Sequence, residues 1–377
     1  MECTDKYDFD TPIDRTNTQS LKWDVAENEL PMWVADMDFK TSSLVLDALT
    51  ERVQHGIFGY TESRESYFEA VSKWMEAHHD WKVERSWLTK TPGVVFALAM
   101  AVKAYSKAGD AVLIQQPVYY PFSEVIRDNN RKLVSNNLVL GDDGKYHIDF
   151  DDFEKQIVDN HVMLFLLCSP HNPVSRVWTA EELTKMGDIC IKHGVTVVSD
   201  EIHEDFVFGD HQHTVFATIK KEFEQNSVTC TSPAKTFNLA GLQVSNIFIP
   251  NGNLRAAFRK QVDAAGYSQL NAMGLTACEA AYTHGETWYQ AMMRYVESNI
   301  AFVRDYLKKE LPQIKLIEPE GTYLLWLDFR ALGMTEKERE NLIVNQAKLW
   351  LDSGAIFGQV GEGFERINVA CPRATIK

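Results

Sequence analysis

Ser232-Pro233-Ala234-Lys235-Thr236-Phe237-Asn238-Leu239-Ala240-Gly241-Leu242 sets one lysine just beyond a strand-like run, Ser227 to Thr231. Small and hydroxylated residues surround the lysine, and Phe237, Leu239 and Leu242 flank it with apolar surface. A solvated surface lysine needs no such setting. A lysine whose free amine attacks a carbonyl to form a Schiff base does.

Working outward, the middle of the chain alternates helix-period and strand-like segments. Val95 to Lys107 reads as a helix behind Thr91-Pro92-Gly93, and Ala111 to Gln115 as a short apolar strand. Val162 to Cys168 is a buried-strand run. Thr179-Ala180-Glu181-Glu182 is a capping box, opening a helix that ends at Gly194, a good residue just past a helix end. Val195 to Ser199 follows as a second β-branched strand, and Ser227 to Thr231 and Val244 to Ile249 continue the sheet. This β–α–β order predicts parallel strands with right-handed crossovers. Beyond it, Glu286 to Glu310 reads as one long helix, with strands at Gly321 to Phe329 and Glu365 to Ala370. The expected architecture is α/β. An N-terminal arm (1–45) joins a small α+β domain (286–377), and a large domain (46–285) carries a mostly parallel central sheet.

Composition narrows the function classes. The 377 residues are 45% hydrophobic and 24% charged, ordinary for a globular chain. Twenty Phe, thirteen Tyr and nine Trp provide bulky core material. The net charge of −15 repels nucleic acid and anionic membrane, so neither is expected as a partner. No pair among the cysteines at 3, 168, 190, 230, 278 and 371 has C-x-x-C spacing, and Cys168, Cys190 and Cys230 read as small core residues. Met1 to Lys6 lacks the apolar stretch of a signal peptide, and Val162 to Cys168, the longest apolar run, is too short to span a bilayer. A reducing cytoplasm is the expected location.

In an open α/β sheet, ligands bind beyond the carboxyl ends of the strands. Asn172, Asp200 and Lys235 each follow such an end, as do Tyr119 and Tyr120, while Gly93, Val94 and Val95 open a helix. Taken singly, each has an ordinary reading. Asp200 could cap a turn, Asn172-Pro173 could be only a turn, Tyr119-Tyr120 could be core, and Gly93 could be a loop residue. Their recurrence at successive strand ends predicts one shared crevice.

These residues, in this order, resemble the fold-type-I pyridoxal-phosphate (PLP) enzymes of the aspartate aminotransferase superfamily, and within it the MalY/PatB-type cystathionine β-lyases or C–S lyases. The likeness covers nearly the whole chain. It begins at Leu30-Pro31-Met32-Trp33-Val34-Ala35-Asp36-Met37-Asp38-Phe39 and passes through Phe58-Gly59-Tyr60, Thr91-Pro92-Gly93-Val94-Val95 and Pro117-Val118-Tyr119-Tyr120-Pro121-Phe122. It continues through His171-Asn172-Pro173, Ser199-Asp200-Glu201-Ile202-His203 and the Lys235 segment, and closes at Asn368-Val369-Ala370-Cys371-Pro372-Arg373.

What PLP requires then fits these residues. Lys235 supplies the amine for the aldehyde. Asp200 holds the pyridine nitrogen protonated, Asn172 donates to the phenolic oxygen, and Tyr119 or Tyr120 stacks on the ring. The N–H groups of Gly93, Val94 and Val95 at a helix start receive the phosphate, with the Ser232 hydroxyl. The resemblance further implies that Arg373 clamps the substrate carboxylate beside Tyr119 and Asn172, that His203 is a cofactor contact, and that Tyr60 reaches the phosphate of a neighbouring subunit in a homodimer. Two positions depart from the aminotransferase pattern towards the lyase branch: His203 stands where aminotransferases usually have tyrosine, and Gln243 where they usually have a phosphate-binding arginine. Relatives also typically continue past the arginine motif into a terminal helix, whereas this chain stops at Lys377.

The expected activity is α,β-elimination from a sulfur amino acid, giving thiol or sulfide, pyruvate and ammonia. An aminotransferase on the same scaffold is the alternative, and a non-catalytic regulator that retains the fold is another. A metal hydrolase built on Asp200, Glu201, His203, Glu204 and Asp205, with His211 and His213, is disfavoured. H-E-x-x-H spacing is absent, and neighbouring strand residues point to opposite faces, so no bound metal is expected. Gly358-Gln359-Val360-Gly361-Glu362-Gly363 lacks nucleotide-loop spacing and reads as a turn.

Overall fold

Val162–Cys168 is apolar throughout, and such a run is stable as a strand only where both faces of a sheet are covered. In the computed structural model, which describes residues 7–377, it lies inside a seven-stranded sheet. Met1 to Lys6, including Cys3 and the segment read for a signal peptide, fall outside the described residues. The sheet strands are β1 (Leu88–Thr91), β2 (Ala111–Ile114), β3 (Lys132–Ser135), β4 (Val162–Cys168), β5 (Thr196–Asp200), β6 (Ser227–Thr231) and β7 (Ser245–Phe248). Their order is β1-β7-β6-β5-β4-β2-β3. β7 runs antiparallel to both its neighbours, and the pairs β6–β5, β5–β4, β4–β2 and β2–β3 are parallel.

Helices cover this sheet. Among them are α1 (Ser43–His55), α2 (Glu65–His79), α3 (Val94–Tyr105), α4 (Pro121–Asp128), α5 (Phe150–Asn160) and α6 (Ala180–His193). α7 (Gly252–Ala264) and α8 (Ala272–His284) follow, while α9 (Glu286–Glu310) packs against α8 and against the strand Lys315–Ile317 of the second sheet. α3 is apolar nearly all round, as a helix enclosed between the sheet and its neighbours should be, and it packs in one core cluster with β2, β4, β5 and β7. The capping box at Thr179 is present. Its hydroxyl accepts from the Glu182 N–H at 3.1 Å, and its own N–H donates to the Glu182 carboxylate at 2.8 Å. The helix closes at Gly194 in the left-handed region (φ 68°).

A second sheet, fully antiparallel, lies in the C-terminal part. Its strands β8 (Lys315–Ile317), β9 (Leu324–Asp328), β10 (Asp352–Ser353) and β11 (Phe364–Asn368) are ordered β8-β9-β11-β10. Leu30–Pro31 of the arm pairs in parallel with Leu349–Trp350. The strand expected from Gly321 starts three residues later. Thr322 has φ 63°, and a Cβ on Gly321 would lie 2.6 Å from the Phe206 carbonyl oxygen, so this backbone is turned and pressed against the segment that follows β5. The cysteines expected in the core, Cys168, Cys190 and Cys230, are buried free thiols, as are Cys278 and Cys371.

β5 ends at Asp200, and residues 202–205 form a turn. Glu201 to Asp205 therefore do not alternate between two sheet faces as expected for a strand, and their side chains can converge.

Thr179→Ala removes one half of the capping box. It should lower the unfolding free energy by about 1 kcal/mol, read as a reduced denaturation midpoint with an unchanged slope.

Candidate active site

Five loops at the carboxyl side of the sheet enclose a cavity of about 180 Å³. Lys235 and Ser232 enter from the short helix Pro233–Thr236 after β6, and Asp200 and His203 from the end of β5. Asn172 comes from the loop after β4, Tyr119 from the loop after β2, and Gly93, Val94 and Val95 from the start of α3. Ala35 of the arm and Gln243 also line it. Most of the residues picked out from the sequence thus share one enclosure.

Lys235 Nζ donates to the Ala35 carbonyl at 2.7 Å. Burial, reinforced by the charge of Arg366, lowers its pKa to about 8, so a neutral amine is accessible near physiological pH. Asp200 is buried and accepts one N–H, from Ile202 at 3.1 Å. Its burial raises its pKa to about 7. A cation set beside it would reverse that shift. Asn172 Oδ1 accepts from Arg366 Nη1 at 2.9 Å. Arginine can only donate, so the oxygen faces Arg366 and Nδ2 remains as the donor group.

Backbone amides frame the far end. The first N–H groups of α3 have no intrahelical acceptor, and no side chain caps them. A Cβ added at Gly93 would meet nothing within 4 Å, so open space lies at that helix start, where an anion is favoured. His203 is buried with Nδ1 unpartnered, and burial together with the Lys235 and Arg366 charges pushes its pKa well down, leaving a neutral imidazole. It packs edge-on against Tyr323, whose hydroxyl donates to the same Ala35 carbonyl at 2.9 Å.

Three expected contacts stand differently, and a fourth, Tyr60, is one expected at a neighbouring subunit's site. The Ser232 hydroxyl donates to the Val244 carbonyl at 2.6 Å and accepts from the Ala234 N–H, so it caps the Pro233–Thr236 turn rather than offering its proton to the cavity. Tyr120 leans on Phe357 and does not line the cavity. Tyr60 is fully exposed and belongs to a separate groove with Arg64 and His55. Arg373 is held away from the cavity by Asn299 Oδ1 (2.8 Å), Ser298 Oγ (2.7 Å) and the face of Phe302.

Arg366, rather than Arg373, bonds the cavity residue Asn172. Only 2% exposed, it bonds Asn172 and the Trp33 carbonyl (2.9 Å) and pairs with Asp352. Its Nε is buried with no partner in the fold, a donor that a ligand would satisfy. Strand periodicity could have found it. In β11, Phe364, Arg366 and Asn368 share one face, and a charged residue within a buried strand must be paired or functional. Tyr323 was missed as well, because a lone tyrosine after Gly-Thr carries no pattern of its own.

Comparison with known proteins agrees with this geometry. The family model for aminotransferase class I and II matches residues 30–377. The chain is 45% identical to cystathionine beta-lyase PatB of Bacillus subtilis (strain 168), over 98% of this chain and 97% of that protein. It is 31% identical to protein MalY of Escherichia coli (strain K12), over 98% and 96% of the two chains. The crystal structure of cystalysin from Treponema denticola, which contains a pyridoxal 5'-phosphate cofactor, superposes with a TM-score of 0.95 at 40% identity, covering 98% of this chain and 96% of that one. With a partly buried lysine, an aspartate and an asparagine brought together at successive strand ends, the chain belongs to the class I and II aminotransferase family.

Proposed function

We propose that this protein is a PLP-dependent carbon–sulfur β-lyase acting on cystathionine, cysteine or a related S-conjugate. The observation that carries the reading is Lys235, a partly buried amine of lowered pKa sharing one cavity with Asp200 and Asn172. The 45% identity to a cystathionine beta-lyase directs the choice of reaction. The residues fit the cofactor. Lys235 would hold its aldehyde carbon, Asp200 its ring nitrogen, Asn172 Nδ2 its phenolic oxygen, and the α3 amides its phosphate. Tyr119 would flank the ring. When bound, the cofactor supplies an electron-withdrawing ring that stabilises negative charge at the substrate Cα.

The chain's own groups do the rest. Arg366 receives the substrate carboxylate, with Asn172 fixing its fork on one side and Asp352 on the other. Lys235 Nζ, in the neutral form that its lowered pKa makes accessible, takes the Cα proton, and a thiolate then leaves from the β-carbon. The Ala35 carbonyl and the Tyr323 hydroxyl beside it fix the position of Nζ. An aminotransferase on the same scaffold is the second reading, since proton transfer at Cα serves both reactions. Pyruvate and thiol release without added keto acid supports the lyase, and amino transfer that requires a keto acid replaces it.

The same reading takes the protein as a cytoplasmic homodimer. Ile57, Phe58 and Tyr60 project from the segment between α1 and α2 at 67%, 61% and 102% exposure, apolar surface suited to a second copy. Tyr60 would then serve the partner's phosphate site. No helix among the described residues is long and apolar enough to cross a membrane.

Lys235→Ala should abolish turnover and the visible absorbance of the holoenzyme. Borohydride treatment of the wild type should add mass at Lys235 and nowhere else; retained turnover in the variant would refute the assignment. Cofactor uptake by apoprotein should accelerate as pH rises, with a midpoint near 8 where Lys235 loses its proton, and Asp200, ionising near 7, acts in the same direction. Uptake that slows with pH contradicts both shifts. Arg366→Lys keeps the charge but loses the fork, and should raise KM for the amino acid roughly tenfold or more, while Arg373→Ala should leave KM within about twofold. The opposite ranking would return the carboxylate site to Arg373.

A further inference from the structure

The turn after β5 divides its side chains between two places. Asp200 and His203 line the cofactor cavity, whereas Glu201, Glu204 and Asp205 do not. These three buried carboxylates meet two histidines instead: His79, the last residue of α2, and His213. His213 Nε2 lies 2.8 Å from Glu201 Oε2, and His79 Nε2 lies 3.0 Å from Asp205 Oδ1 and 3.8 Å from Glu204 Oε2. The two imidazole rings are 5.7 Å apart and perpendicular. One ligand atom each from His79, Glu204 and Asp205 lies within 4.8 Å of the others, and the same holds for Glu201, Glu204 and His213. Glu204 belongs to both groups.

The carboxylates are unequally dressed. Glu201 accepts from the Ser199 hydroxyl and the Phe216 N–H. Asp205 accepts from Trp74 Nε1 and the Thr236 hydroxyl. Glu204, 3% exposed, has both oxygens buried without a hydrogen-bond partner, and His213 Nδ1 is likewise buried and unpartnered. A bare carboxylate in the interior costs several kcal/mol unless a charge or a proton meets it.

Two imidazoles and three carboxylates form a donor set suited to first-row divalent ions, with nitrogen donors that calcium and magnesium do not favour. We propose that Glu204, with His79, Asp205, Glu201 and His213, forms a binding site for a divalent transition-metal ion. The ion would tie α2 to the 201–213 segment. Through the Asp205–Thr236 hydrogen bond and the Asp200–Glu201 linkage, it would also brace the backbone that carries Lys235 and Asp200. The site does not open on the cofactor cavity, so its role is to position and stabilise, and it stands whether or not the lyase reading does.

The test uses holoenzyme dialysed against a chelator, given one equivalent of Zn²⁺ or Mn²⁺, gel-filtered, and examined by elemental analysis and thermal melting. About one ion should remain per chain, with Tm raised on the order of 3 °C. Glu204→Gln, nearly isosteric, should retain far less ion and show no rise, and His213→Gln should behave likewise if the first variant does not fold. Wild-type protein that keeps no ion, or variants that keep as much as wild type, would overturn the proposal. So would a Glu204→Gln protein that melts above the wild type with no ion in either, since that result means the carboxyl is simply held protonated.

Discussion

The active site depends on how the main chain of the N-terminal arm satisfies its carbonyl groups. Residues 33–39 have no regular partner strand, yet buried carbonyls must be paired. Side chains from elsewhere meet them. Trp33 accepts from Arg366, Val34 and Asp36 from Asn368, Ala35 from Lys235 and Tyr323, and Met37 and Phe39 from Asn238. Two of the donors, Lys235 and Arg366, are the residues to which the chemistry is assigned. The arm thus forms a wall of the cavity, and ordering it is inseparable from aiming the reactive amine.

Arg366 is the point where three parts of the chain meet. Its guanidinium spans Asn172 of the large sheet's loops, Trp33 of the arm and Asp352 of the small sheet. The Asp352 pair largely neutralises its charge, so its hold on an incoming carboxylate would come from directed N–H groups more than from net attraction. That arrangement favours a ligand with the right fork geometry over any anion that happens to enter.

Much of this was legible in the sequence because strand ends are legible. The run Val162–Cys168 and the β-branched segments around it identify the sheet, and the polar residues just beyond each end then fall into one crevice. The family likeness extends that reading to the arm. Local spacing fails where the answer is tertiary. Two arginines, Arg366 and Arg373, stand seven positions apart, and nothing in that interval says which one the fold turns inward. Packing decides: Arg366 is buried in β11 between Asp352 and Asn172, while Arg373 lies past the strand against α9. The acceptor of the Ser232 hydroxyl, the Val244 carbonyl, was likewise not legible, because it is supplied by the returning chain twelve residues on. Glu204 and His79 are 125 positions apart, a meeting that no motif could announce.

The opposed shifts of Lys235 and Asp200 have one physical root. Each is buried, and burial penalises charge of either sign, raising the acid and lowering the amine. In water the two would be fully charged and mutually satisfied by solvent. In this cavity the acid is partly protonated and the amine partly neutral between about pH 7 and 8, a condition poorly suited to an empty site and well suited to one that receives a ligand carrying both an electrophilic carbon and a basic ring nitrogen. An aldehyde consumes the neutral amine, and a protonated ring restores the charge on the aspartate. The phosphate end needs no basic side chain at Gln243 if the α3 amides carry roughly half a positive charge at the helix start. A chain with net charge −15 can therefore hold an anionic cofactor through backbone dipoles, leaving Arg366 for the substrate.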